Sequence, residues 1–173
     1  HLSLRRQRQM CIRDSNYTEE DFRDADDVYG RSKALGEVVN DKDLTIRTSI
    51  IGPELKRNGE GLFHWFMSQR GQINGFTKAI WGGVTTLELA KAIDYAITRN
   101  QTGLIQLSNG TGISKYDLLG LFKGIWNRKE VEILPFDGNG VDKSIVKSDR
   151  FDYEVPGYED MLLEQRDWME DHG

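Results

Sequence analysis

Tyr29 and Lys33 are the residues whose types and spacing suggest chemistry. On a helix they stand one turn apart on one face, with Cβ atoms about 5–6 Å from each other. An ammonium at that range favours the ionised phenol and lowers its pKa from about 10. A phenol tuned in this way can pass a proton to or from a carbinol oxygen while a hydride moves. The plainer alternative is a surface tyrosine beside a solvated lysine, and chance supplies such a pair in about one chain in three of this composition. The spacing alone is therefore a hypothesis. It is strengthened by the strand-like segment that follows, Thr45-Ile46-Arg47-Thr48-Ser49-Ile50-Ile51-Gly52-Pro53.

The elements that must position these residues follow from period and punctuation. A helix is predicted over 28–40, with Asp26 or Asp27 as N-cap and Ala34, Leu35, Val38 and Val39 as its buried stripe. Residues 44–51 read as a strand ending at Gly52-Pro53, and their near-continuous apolar character suits a parallel sheet covered on both faces. Gly61 opens a second helix to about residue 70, with Leu62, Phe63, Phe66 and Met67 at helical spacing. Thr85-x-x-Glu88 is a capping box before Leu87, Leu89, Ala90, Ile93, Ala96 and Ile97, a helix to about residue 99. A short strand over 104–107 follows. Ser114-x-x-Asp117 then starts a helix to about residue 126, carrying Leu118, Leu119, Phe122 and Ile125. A strand over 131–134 comes next, and Val155-Pro156-Gly157 leads into a terminal helix with Met161, Leu162, Trp168 and Met169. Alternating strands and helices of this kind make an α/β fold.

The run Tyr29-Gly30-Arg31-Ser32-Lys33-Ala34-Leu35-Gly36-Glu37, followed by a turn and a strand reading Ile46-Arg47-Thr48-Ser49, resembles the extended short-chain dehydrogenase/reductases. Within them it is most similar to the dTDP-4-dehydrorhamnose reductase group of sugar-nucleotide enzymes, as is the lead-in Asn16-Tyr17-Thr18-Glu19-Glu20-Asp21. The resemblance is specific over residues 16–53 and looser beyond. It implies part of a Rossmann-like parallel sheet joined to a small α/β substrate lobe. It also implies an NADP- or NAD-dependent reductase of a nucleotide-linked keto-sugar, with Tyr29 as general acid/base.

By the same resemblance, Lys33 would lower the phenol's pKa and hydrogen-bond the nicotinamide ribose. Ser49, Ile50 and Ile51 would approach the nicotinamide together with Tyr29 and Lys33, while Thr48, Trp81 and Gly82 would meet the sugar. Ligands in open α/β sheets bind beyond the carboxyl ends of strands, but residues 48–51 read equally well as a core strand starting a turn. Trp81 beside Gly82-Gly83 could stack a ring where the backbone comes close. Phe63, His64 and Trp65 could line the same cavity, although Phe63 and Phe66 read better as core. The family's third catalytic group, a Ser or Thr on a preceding strand, is expected to be missing: Ser15 lies too close to Tyr29, in the wrong pattern. Two rivals share the Tyr-x-x-x-Lys pair. One is an NDP-sugar epimerase or dehydratase. The other is a non-catalytic member such as the regulatory subunit of methionine adenosyltransferase.

Bulk properties exclude several other classes. The chain has 173 residues, 29% charged, and a formal net charge of −5, which disfavours nonspecific nucleic-acid binding. No apolar run approaches 18 residues, so no membrane span is expected. The single cysteine, Cys11, cannot form an internal disulfide and fits a reducing cytoplasm. His64 and His172 are isolated, without metal-ligand spacing. The acidic run from Glu19 to Asp27 reads as a solvated loop. Residues 1–15, rich in arginine (Arg5, Arg6, Arg8, Arg13), do not read like the rest. They resemble a translated adapter and are set aside as a non-native tail, leaving 16–173 as the partial nucleotide-binding domain with its substrate lobe. No glycine-rich strand-turn-helix unit for a pyrophosphate precedes Tyr29, and Gly59-x-Gly61 and Gly110-x-Gly112 read as turns. The expectation is the C-terminal part of a larger enzyme, with a nucleotide sugar as partner and room for a homodimer.

Overall fold

The computed structural model describes residues 18–20, 28–54 and 59–172. The tail over 1–15, Ser15 and the N-cap candidates Asp26 and Asp27 lie outside these residues, as does the side chain of Tyr29. The elements are α1 (Val28–Leu35), β1 (Leu44–Arg47), β2 (Ile50–Ile51), α2 (Leu62–Ser68), β3 (Gly71–Phe76), β4 (Ala79–Trp81) and β5 (Val84–Thr85). They continue with α3 (Thr86–Thr98), β6 (Gly103–Gln106), β7 (Ile113–Ser114), α4 (Lys115–Ile125), β8 (Val131–Phe136), β9 (Val141–Lys143) and α5 (Tyr158–His172). The pairs β1–β6, β2–β5, β3–β8 and β4–β9 are parallel, and β4–β7 is antiparallel. This is the mixed α/β, parallel-sheet architecture expected.

Two apolar cores organise the molecule. One gathers Phe63 and Phe66 of α2, Ile73 of β3, Leu118, Leu119 and Phe122 of α4, Val131 of β8 and Leu162 of α5. The other gathers Val84 of β5, Ala92 and Ala96 of α3, Ile105, Leu107, Phe151 and Met161. Both capped helices start as the sequence dictates: the Thr85 and Ser114 hydroxyls accept from the amides of Glu88 (3.1 Å) and Asp117 (3.0 Å), satisfying donors that have no helical partner. Their C-termini turn at Asn100 and Asn127, with φ of 50° and 51°. Asparagine tolerates the left-handed conformation that such helix ends require.

Several expectations need correction. The first helix ends at Leu35, not at residue 40, because the chain beyond it is claimed by tertiary and local polar contacts. Asn40 Oδ1 accepts from the amides of Lys42 and Asp43, at 2.8 and 2.7 Å, folding a turn into β1. Its supposed buried stripe is largely exposed: Leu35 is 89% and Val39 60% accessible. On α3 the buried face is Glu88, Ala92 and Ala96, with Ile93 and Ile97 outward; small alanines let the helix close onto Val84 and Ile105. The strand over 131–134 extends to Phe136, with Pro135 tolerated because β8 pairs on one side only. Strands β3, β4, β5, β7 and β9 escaped the sequence reading. β3 (Gly-Gln-Ile-Asn-Gly-Phe) carries two glycines and an asparagine, which weaken a strand signal. Its Gly75 is required, since a Cβ there would meet Tyr116 Cδ2 at 2.7 Å.

Candidate active site

The segment over 44–51 is not one strand but two. Thr45 and Arg47 point to one face of β1, Leu44 and Ile46 to the other, where they pack on the second core. After Arg47 the chain leaves β6: Leu107 N still bonds Arg47 O at 2.9 Å, then Thr48 Oγ1 donates to Leu107 O at 2.8 Å. It next joins β5, with Val84 N donating to Ser49 O at 2.9 Å and Ile50 and Ile51 opposite Val84 and Thr85. Thr48 and Ser49 therefore form a crease between two strand pairs. Gly83 makes the crease possible, because a Cβ on it would lie 2.1 Å from Ser49 O.

An open cleft of about 900 Å³ lies over this crease, bounded by Ser32, Lys33 and Gly36 on one side and Arg47, Thr48, Ser49, Ile50 and Leu89 on the other. Of the sequence-derived site residues, Lys33, Thr48, Ser49 and Ile50 are brought together here. Tyr29 is one turn before Lys33 in α1. Ile51 instead sinks its side chain, 6% exposed, into the first core. Trp81 is half-buried against Tyr158, ring centroids 5.7 Å apart. Burial pushes the Tyr158 phenol up, although it donates to Thr111 O. Gly82 faces the chain itself, since a Cβ there would meet Ser144 Cα at 2.9 Å. Phe63 and Phe66 are buried in the first core, as the plainer reading had it.

Glu37 and Arg47 were missed as a pair. The Arg47 guanidinium holds the Glu37 carboxylate with Nε–Oε1 at 2.8 Å and Nη2–Oε2 at 2.9 Å. The residues are ten apart across a turn, so no helical or strand period brings them together. The lead-in is also less solvated than expected at Glu19. Its Oε1 accepts from Gln106 N at 3.2 Å. Burial raises the Glu19 carboxyl pKa, but hydrogen bonds from Ser148 and Gln106 and the Arg150 guanidinium outweigh it and hold the group below its ordinary value.

No family model and no curated protein matches the chain. Solved structures do. A dTDP-4-dehydrorhamnose reductase from Clostridium acetobutylicum superposes with TM-score 0.70 at 16% identity, over 92% of this chain and 61% of that one. One from Bacillus anthracis, in complex with NADP, gives TM-score 0.65 at 18% identity, over 81% and 52%. A hypothetical one from Sulfolobus tokodaii gives 0.63 at 26% identity, over 84% and 56%. Sugar-nucleotide dehydratase and 4-epimerase structures match as well. The chain spans about half to three-fifths of the length of the three reductases. By its fold, this chain is similar to the dTDP-4-dehydrorhamnose reductases and the Rossmann-like sugar-nucleotide enzymes around them.

Proposed function

We propose that this chain is the C-terminal part of an NAD(P)H-dependent reductase acting on a keto carbon of a nucleotide-linked sugar, of the dTDP-4-dehydrorhamnose reductase kind. The observation that carries the reading is that Lys33, one turn after Tyr29, shares a cleft with Thr48, Ser49 and Ile50 at the end of a parallel strand. Tyr29 gives its proton to the carbinol oxygen. The Lys33 ammonium eases that transfer and holds the nicotinamide ribose. Ser49 and Ile50 would border the nicotinamide and Thr48 would orient the sugar, whereas Ile51, Trp81 and Gly82 are turned into the protein's own packing. The nicotinamide, when bound, supplies the hydride.

The residues around the crease fit the nicotinamide end of such a cofactor. The glycine pairs do not fit its pyrophosphate: Gly61 caps the short α2 and a Cβ on Gly112 would strike Ile80 at 2.4 Å. Among the described residues, neither glycine pair offers a phosphate cradle. A homodimer and a cytoplasmic location complete the reading.

The test is Tyr29→Phe in the full-length enzyme. Loss of a positioned acid lowers kcat by about 10²–10⁴-fold, with NADPH affinity unchanged. Turnover equal to wild type would remove Tyr29 as the acid. A second reading, a dehydratase or 4-epimerase, draws on the matches to those structures. It requires a cofactor that stays bound and is regenerated, whereas a reductase consumes one NAD(P)H per sugar.

A further inference from the structure

Arg47 joins three segments with one side chain. Its fork closes on both oxygens of Glu37, two residues beyond the end of α1, and its Nη1 lies 3.2 Å from Glu19 O and 3.4 Å from Thr18 O in the lead-in. The pair is largely shielded, with side-chain exposures of 20% for Arg47 and 14% for Glu37. A second latch lies beside it on the same face of β1: Thr45 Oγ1 donates to Val38 O at 2.7 Å and accepts from Val38 N at 3.3 Å. Residues 37 and 38 are thus fastened to strand positions 47 and 45. Between the latches and the site there is almost no slack, because Gly36 N bonds the carbonyls of Lys33 and Ser32 at 3.1 and 3.2 Å.

Among the described side chains of α1, Val28 and Leu35 are 86% and 89% exposed, so those two bury little that would fix the helix. A bidentate guanidinium–carboxylate pair fixes angle as well as distance, which a lysine or a lone hydrogen bond does not.

We propose that Arg47, through Glu37, is a positioning residue for the proton-transfer helix: it sets the distance from Tyr29 and Lys33 to the Thr48–Ser49 crease, where the reacting sugar carbon sits. This rests on the reductase reading above. Misplacement of a reacting group by about 1 Å can cost about 10²-fold in rate, so the clamp acts on turnover before it acts on binding.

The experiment compares Arg47→Met, Arg47→Lys and Glu37→Gln. In the full-length enzyme, Arg47→Met and Glu37→Gln lower kcat about 10- to 100-fold with KM for the nucleotide sugar within about threefold. Arg47→Lys, keeping the charge but not the fork, falls between. In the 173-residue chain, hydrogen exchange of the amides over 28–38 speeds up at least tenfold in Arg47→Met, while those over 115–125 do not change. The proposal is overturned if kcat stays within twofold of wild type, if its loss equals the loss of folded protein, or if the 28–38 amides exchange as before. A wild-type enzyme that reduces no keto-sugar sinks the reductase reading instead, and the exchange comparison then decides by itself whether Arg47 sets the helix.

Discussion

Phe122 on α4 meets Phe63 edge to face at 5.5 Å, with Phe66 and Trp126 at 5.7 and 6.0 Å, in a core where Phe66 and Phe122 have no exposed surface. Arg47, outside that core, holds α1 in place through charge and hydrogen bonds while Leu35 lies open to water. The first arrangement resists loss of volume and is indifferent to direction. The second buries little but specifies geometry. Catalytic work needs the second kind: a rigid lobe can be built from carbon, but a proton donor has to be aimed.

The strongest blow to this contrast would fall on the aromatic core. Phe122→Ala removes a fully buried ring flanked by three others and should cost about 3–5 kcal/mol, a large share of the roughly 5–15 kcal/mol that holds a domain of this size. Urea unfolding would show a lower midpoint with the slope unchanged. Arg47→Met in the same assay should cost clearly less. Equal losses would mean that the clamp is as much a stability element as the core, and the division of labour between the two regions would fail.

A smaller effect separates glycines that look alike in sequence. Gly83→Ala drives a Cβ to 2.1 Å from Ser49 O, a backbone atom that cannot swing away, whereas a Cβ on Gly124 in α4 meets nothing within 4 Å. The first change should destabilise by about 1–3 kcal/mol and open the β2–β5 pairing under the cleft. The second, Gly124→Ala, should stabilise by about 0.5–1 kcal/mol, the usual penalty for glycine inside a helix. If Gly83→Ala were silent in urea unfolding, the crease would be a soft loop and the site would lack the rigid floor that the clamp needs.

What could be read from the sequence follows from how far each signal reaches. The caps at Thr85 and Ser114 are local, three residues from hydroxyl to amide, and both hydroxyl caps formed, although the Glu88 carboxylate turns to Tyr153 and Lys91 instead of closing the box on Thr85. The Phe63 and Phe66 stripe is a period of three and went to the core. The residues gathered at the cleft, Lys33 with Thr48, Ser49 and Ile50, came from a motif whose two halves lie close in the chain. By contrast, the division of 44–51 into β1 and β2 depends on where β5 and β6 run, and the Glu37–Arg47 pair on a turn of no fixed length. Leu35, Val38 and Val39 were expected to be buried because they are apolar at helical spacing. They are exposed because spacing says which face is apolar and not what covers it.

The gentlest test lies where the two kinds of fastening meet. Glu88, 1% exposed in α3, accepts from the Tyr153 hydroxyl at 2.6 Å and pairs with Lys91 at 2.9 Å, and Lys91 also reaches Glu164 at 2.7 Å. Tyr153 packs with Tyr95 and Phe151 at ring distances of 5.2 and 5.6 Å, so a polar contact is set inside an apolar wall. Burial, and then the Glu88 carboxylate, push the Tyr153 phenol far above its ordinary 10.0. Burial works against the Lys91 ammonium, yet Glu164 and Glu88 outweigh it and hold its pKa above 10.5. Both groups bind their protons more tightly folded than unfolded. Their contribution is therefore fully present below about pH 10 and is lost as pH rises toward the folded values. Melting temperature should fall between pH 10 and 12. Tyr153→Phe should cost about 1–2 kcal/mol at pH 8, because Glu88 loses a donor, and the gap from wild type should narrow at pH 11. A gap that stays constant with pH would mean that the phenol's proton is not what fastens Tyr153 to Glu88, and that this corner is held by ring packing as the Phe122 core is.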